Sequence, residues 1–168
     1  MWVEKAFDLN DWAVLSGVFV IWGTFLFIPK RFSKQTITLL MLYGLTSASV
    51  FDNSFAAYSL DFYDIMDGPK YTVMDFFVYF LYPPFGYFFL YFYKKFRIRS
   101  IGIIFYIFSC SLVATLLEFI FVKCNIFSYL NGYQLKYSFC VYLVVQSGLL
   151  FFCFALENSR FNINSKRG

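Results

Sequence analysis

The chain has no histidine among its 168 residues. That removes the commonest general base near neutral pH and the commonest metal ligand. Charge is scarce as well: 14% of the residues are Asp, Glu, Lys or Arg, against about 25% in ordinary soluble domains. The four cysteines are Cys110, Cys124, Cys140 and Cys153. They form no CxxC pair, so neither a zinc site nor a thioredoxin-type motif is indicated. Buried thiols acting as small hydrophobes are expected, although Cys124 and Cys140 could meet outside a membrane. The G-x-S-x-G, H-E-x-x-H, P-loop and G-x-G-x-x-G motifs are missing. No internal repeat is visible, which disfavours an inverted-repeat carrier within one chain. No cofactor and no metal site is expected.

What the chain has instead is apolar surface. Hydrophobic residues make up 60% of it, with 26 Phe and 14 Tyr. A soluble domain of this length cannot hide so much, so the bilayer is expected to be the solvent for most of it. The chain reads as a single membrane domain over 1–168, an all-α bundle of five transmembrane helices. A span needs about 20 mainly apolar residues. Five stretches qualify as candidates: Trp12–Ile28, Gln35–Tyr58, Thr72–Tyr93, Ile101–Val122 and Phe139–Leu156. The first follows acidic residues and lacks a basic leader or a small-residue cleavage site, so it reads as a retained span rather than a signal peptide. The alternation expected of a transmembrane barrel is absent.

Basic residues set the orientation. Lys30, Arg31 and Lys34, then Lys94, Lys95, Arg97 and Arg99, then Arg160, Lys166 and Arg167 fall on one side; Lys5, Lys70, Lys123 and Lys136 fall on the other. The positive-inside rule puts the N-terminus outside and the C-terminus in the cytoplasm of a multi-pass cell-membrane protein. The net charge of +4 is explained by these loops and by anionic headgroups, and no nucleic-acid partner is expected. The tail after Leu156 is polar and expected to be disordered.

The third span carries Asp75 near its start and Pro83-Pro84 in its middle. The prolines remove two donors and disfavour helix before them, and Gly86 loosens the chain further. A kink or break is expected there, with the carbonyls of Tyr79 and Phe80 losing their usual partners. Irregular backbone at that depth must face protein or a polar cavity. The second span offers Gly44, Ala48 and Asp52 at i, i+4, i+8, a small-residue face that admits another helix closely. The fourth presents Ser111, Thr115 and Glu118 on one face, and the fifth Tyr142 and Gln146. Asp52, Asp75, Glu118 and Gln146 then lie at similar depth, toward the outer leaflet. Such a cluster either fixes the packing through hydrogen bonds or binds a cation, proton or polar ligand, for which intramembrane acids are the natural candidates.

Two outer loops complete the reading. In the first, Asp61, Asp64 and Asp67 would share a face on a helix, but their spacing is not that of a calcium loop. Tyr58, Tyr63 and Tyr71 suit an interfacial aromatic belt. In the second, Asn131-Gly132 signals a tight turn and a small hairpin on the outer surface.

The stretch "DFYDIMDGPKYTVMDFFVYFLYPPFGYFFLYFYKKFRI", with "EFIFVK" and "YSFCVYLVVQS" after it, resembles an uncharacterised family of small multi-span membrane proteins from endospore-forming Gram-positive bacteria. The resemblance runs from about Ser59 to Phe151. Its most specific positions are Asp64, Asp67, Pro69, Lys70, Asp75, Pro83-Pro84, Glu118 and Gln146. It implies a bacterial membrane location and no catalytic role.

The leading expectation is a non-enzymatic packing or accessory protein, embedded in the lipid bilayer and associating with a membrane-protein partner or with itself. The alternative is an ion- or small-ligand-binding membrane protein, a proton-linked transporter as an oligomer, using Asp52, Asp75, Glu118, Gln146 and Tyr142. An intramembrane enzyme is the least favoured class, with Asp75 and Glu118 as its only acid–base pair.

Overall fold

The computed structural model describes residues 7–56, 60–66, 68 and 72–165, with residues 158–165 as backbone alone. Six helical segments carry the fold: α1 Leu9–Phe27, α2 Lys34–Phe55, α3 Val73–Tyr79, α4 Pro83–Lys95, α5 Gly102–Lys123 and α6 Leu135–Ser165. Their starts are written locally. Asp8 and Asp11 form a reciprocal capping box at the head of α1, Ser33 caps α2, and Thr72 with Asp75 forms a second capping box at α3. Each satisfies backbone donors that a first turn leaves orphaned. Pro83 and Pro84 occupy the first positions of α4, where a missing N–H costs nothing. Residues 80–82, between α3 and α4, form turns.

Four stretches among the described residues are long and apolar enough to cross a membrane: Leu9–Phe27, Val73–Lys95, Gly102–Lys123 and Leu135–Glu157. α2 has 22 residues, but Thr36, Thr38, Thr46, Ser47, Ser49, Asp52, Asn53 and Ser54 make it too polar to qualify on composition. The tail also departs from expectation. The polar residues after Leu156 continue α6 as far as Ser165.

The α3–α4 stretch is the centre of the bundle. Half of its apolar window is buried, against 17% in each of the other three. Helices in lipid gain little from hydrophobicity and associate through close packing. The α2–α4 contact shows how close. A Cβ on Gly86 would lie 2.3 Å from the Leu40 carbonyl oxygen, and one on Gly44 would lie 2.8 Å from that of Tyr82. The small-residue face of α2 thus meets the start of α4, and α4 runs through Gly86 without a break. The Phe80 carbonyl, expected to lose its partner, accepts a hydrogen bond from the Trp22 indole of α1 at 2.8 Å. The Tyr79 carbonyl accepts from Tyr82 N at 3.4 Å.

Tyr87 of α4 is fully buried and anchors the α1–α2 loop. Its hydroxyl donates to the Pro29 carbonyl at 3.0 Å, and its ring meets Phe25 and Phe32 edge-on. Farther along, Lys94 pairs with Glu157 of α6 at 2.6 Å. α5 packs mainly against α6. Cys153 lies in the core formed with Leu40, Phe89 and Leu149, and all four cysteines are free.

The opposite end is closed by a two-stranded antiparallel sheet, β1 Tyr63–Ile65 and β2 Phe127–Tyr129. Tyr63 faces Tyr129, Asp64 faces Ser128 and Ile65 faces Phe127. Met66 N donates to the Ile126 carbonyl and Leu130 N to that of Phe62, both at 2.8 Å. Beneath the sheet, Tyr63, Met66, Ile126 and Phe127 pack on Val14 of α1 and on Met74 and Val78 of α3.

Three loop expectations change here. The Asn131-Gly132 turn is present, with φ of 46° and 77° and a Tyr133 N to Leu130 carbonyl bond of 2.9 Å. Its strand, however, pairs with the first outer loop instead of folding into a local hairpin. Asp64 lies in a strand, so no helical face unites the loop acids. Tyr63 is buried rather than part of an interfacial belt. Asp67, Pro69 and Lys70, with Tyr58 and Tyr71, lie outside the described residues.

Candidate functional site

The two main helix contacts, α2 with α4 and α5 with α6, leave a space between them. It is a cavity of about 720 Å³, inside the range of roughly 300–1,000 Å³ usual for small-molecule sites. Phe85, Phe88, Phe89 and Phe92 of α4 line one side, and Cys110, Val113, Leu117 and Phe121 of α5 another. Its two acids lie toward the sheet end.

Glu118 sits there, 8% exposed. Its Oε1 accepts from the hydroxyls of Tyr129 at 2.5 Å and Ser138 at 2.6 Å. Its Oε2 accepts from Tyr142 at 2.5 Å. Tyr133 adds a second tier, 3.1 Å from the Ser138 hydroxyl. Three donors converging on one acidic group, from β2 and from two turns of α6, fix the loop cap to the bundle. Such short bonds to a carboxylate are the stronger class.

Asp52 is 7% exposed. Its Oδ1 accepts from the Tyr63 hydroxyl at 2.7 Å, while its Oδ2 is buried with no hydrogen-bond partner among the described residues. Asp52 lines the cavity. A buried polar atom left unpaired costs about 1–3 kcal/mol, so this oxygen is the least satisfied point of the site. No Lys or Arg is among the lining residues.

Gln146 and Tyr142 also line the cavity. Gln146 Oε1 accepts from the Ser111 hydroxyl at 3.0 Å. Tyr43 spans from α2 to the Val145 carbonyl at 2.9 Å, closing one wall. Outside the spans, the phenols of Tyr63, Tyr129 and Tyr133 have pKa values raised above the usual tyrosine range, in each case chiefly by burial. The carboxylates of Asp52 and Glu118 raise the first two further. These hydroxyls therefore stay protonated, and those of Tyr63 and Tyr129 donate to Asp52 and Glu118.

Of the five ligand-binding candidates, Asp52, Glu118, Tyr142 and Gln146 share this cavity. Asp75 is placed elsewhere. Its Oδ2 accepts from Thr72 N at 2.5 Å and from the Thr72 hydroxyl at 2.9 Å, which makes it a helix-capping residue. Of the kink residues, Gly86 touches the cavity while Pro83 and Pro84 shape its neighbour turn. Tyr63, Tyr129 and Ser138 were not among the site residues expected from the sequence, which assigned Tyr63 to an aromatic belt. Ser138 had a signal, since it precedes Tyr142 and Gln146 on the same i, i+4 ladder. Tyr63 and Tyr129 had none, because their contacts are made through strand pairing. Among the described residues no three His, Cys, Asp or Glu side chains gather as a metal would require.

Comparison of the chain with protein-family models, with curated proteins and with solved structures gives no match.

Proposed function

We propose that the protein is a non-enzymatic, multi-pass membrane protein of a bacterial cell membrane that binds a small ligand in the cavity between α2–α4 and α5–α6. In this reading α2 is a fifth span, its polar residues tolerated because one face meets α4 and another lines the cavity. The N-terminus is outside, the sheet caps the outer end, and the third span kinks at Pro83-Pro84. Asp52, Glu118, Tyr142 and Gln146 form the ligand-binding wall, and Asp75 caps α3. The observation that carries the reading is a cavity of about 720 Å³ whose lining includes Asp52, a buried acid with one oxygen, Oδ2, lacking a hydrogen-bond partner among the described residues. An oxygen in that state is completed by a donor from a ligand at low cost.

The accessory reading has one observation of its own. Glu118 is fully satisfied by Tyr129, Ser138 and Tyr142, as a residue whose work is packing would be. Native mass spectrometry of protein extracted gently from its own membrane separates the two. Ligand binding predicts a stoichiometric small molecule that Asp52→Asn loses while the variant remains folded. A stoichiometric protein partner with no small molecule would move the assignment to the accessory role.

A further inference from the structure

The bundle end opposite the sheet is basic. α1 and α4 finish there and α2 begins there. Among the described side chains it holds seven bases, from Lys30 to Lys34 and from Lys94 to Arg99, and one acid, Glu157. Two of the bases serve the fold. Lys94 pairs with Glu157, and Lys30 donates to the carbonyls of Phe25 and Ile28 at the end of α1. Arg31 and Lys95 are placed differently. The Tyr87 hydroxyl accepts from Arg31 N at 3.4 Å, which holds the loop against α4. The Arg31 guanidinium lies over the Tyr91 ring, 5.3 Å from its centre, and Lys95 Nζ lies 5.8 Å from the same centre. Tyr91 is buried, so its ring is a fixed platform. Such contacts orient a cation without neutralising it.

The two cations are at most about 11 Å apart, the sum of their distances to that centre. Among the described residues the one ion pair is Lys94–Glu157, so no carboxylate offsets either of them. Like charges held this close repel, and an anion between them turns the repulsion into two attractions. Phosphate suits the pair, since Arg offers a planar fork of donors and Lys a compact charge. The excess of positive charge selects against a head that carries its own ammonium. A lipid is the favoured source of the phosphate. Phe27 closes α1 and Phe96 follows Lys95 at the end of α4, and at 91% and 63% exposure they offer acyl chains an apolar surface. We propose that Arg31 and Lys95, held on Tyr91, seat the phosphate of an anionic phospholipid whose head lacks an ammonium, as in phosphatidylglycerol. The seat is separate from the cavity and rests only on the membrane-spanning part of the reading above.

The test titrates the whole protein, in a mild non-ionic detergent, with phosphatidylglycerol or phosphatidylcholine of the same acyl chains and reads bound lipid by native mass spectrometry. The first phosphatidylglycerol is expected to bind about tenfold tighter than phosphatidylcholine, the scale that two basic side chains supply at a lipid surface. Arg31→Gln combined with Lys95→Gln removes that preference. Arg99→Gln combined with Lys34→Gln takes away the same charge and leaves the preference within about twofold. All four side chains are exposed, so neither double variant disturbs the packing. Equal affinity of the parent for the two lipids overturns the proposal. An equal loss from the two double variants also overturns it, because a diffuse basic surface would then account for the preference. Glycerol phosphate that displaces phosphatidylglycerol at equal concentration overturns the lipid and leaves a site for free phosphate. None of these results bears on whether the cavity holds a ligand.

Discussion

Gly86→Ala adds one methyl group and should separate two helices. The new Cβ would lie 2.3 Å from the Leu40 carbonyl oxygen and 3.1 Å from its carbon. Ordinary contact begins at 3.4 Å, so α2 and α4 must part by about 1.1 Å, the difference between 3.4 and 2.3. The obstacle is backbone, which cannot swing aside as a side chain would. Overpacking of this kind costs about 1–3 kcal/mol, and a backbone clash belongs at the upper end. Alanine returns about 1 kcal/mol of helix propensity, leaving a net loss of about 2 kcal/mol. Gly23 of α1 is the internal control, since a Cβ there meets nothing within 4 Å. Gly23→Ala should be neutral or stabilising by up to about 1 kcal/mol. Thermal unfolding of both variants in the same mild detergent, followed by circular dichroism, checks the pair. Equal stability of the two, or a Gly86→Ala protein as stable as the parent, would refute the close α2–α4 contact.

Other perturbations test other parts of the structure by the same unfolding assay. Glu118→Gln keeps the shape but gives up charge-assisted bonds and should cost about 2 kcal/mol, while Glu118→Ala strands three hydroxyls and should cost more; equal effects would mean the hydroxyl cage is not formed. Trp22→Phe keeps the ring but frees the Phe80 carbonyl just before α4, with an expected loss of about 1–2 kcal/mol. Lys94→Ala should stay within about 0.5 kcal/mol of the parent, because the Lys94–Glu157 pair is 39% and 52% exposed and such pairs contribute little. Stability against pH should fall above the usual tyrosine value of 10.0. Tyr63, Tyr129 and Tyr133 hold their protons more tightly folded than unfolded, so the unfolded chain ionises first and gains stability as pH rises. An alkaline titration read by tyrosinate absorbance should show these phenols ionising only with unfolding.

The helices were legible because lipid demands long apolar runs, and those runs are unbroken from Trp12, Ile101 and Phe139. The start of α4 was legible in Pro83-Pro84, since proline belongs at a helix start. Four of the site's polar positions, Asp52, Glu118, Tyr142 and Gln146, followed from helical spacing, each within its own segment. Asp75 carried a signal that points away from the site: Thr72-x-x-Asp75 is a capping-box pattern, and the structure uses it as one. What stayed hidden is non-local. Strands of three residues leave almost no pattern of their own. The pairing of Tyr63–Ile65 with Phe127–Tyr129 joins loops about 60 residues apart, and it alone delivers Tyr63 to Asp52 and Tyr129 to Glu118. α2 was the ambiguous helix, because the residues that let it face a cavity are those that lower its apolar content.

The most direct measurement is an experimental structure of the protein in lipid nanodiscs, by electron cryomicroscopy with a rigid binding fragment for alignment. The predicted result is ligand density in the cavity between α2–α4 and α5–α6, against the wall formed by Asp52, Glu118, Tyr142 and Gln146. The contradicting result is a bundle in which α5 and α6 close onto α2 and α4, with no cavity and with Asp52 Oδ2 bonded to a donor of the protein itself.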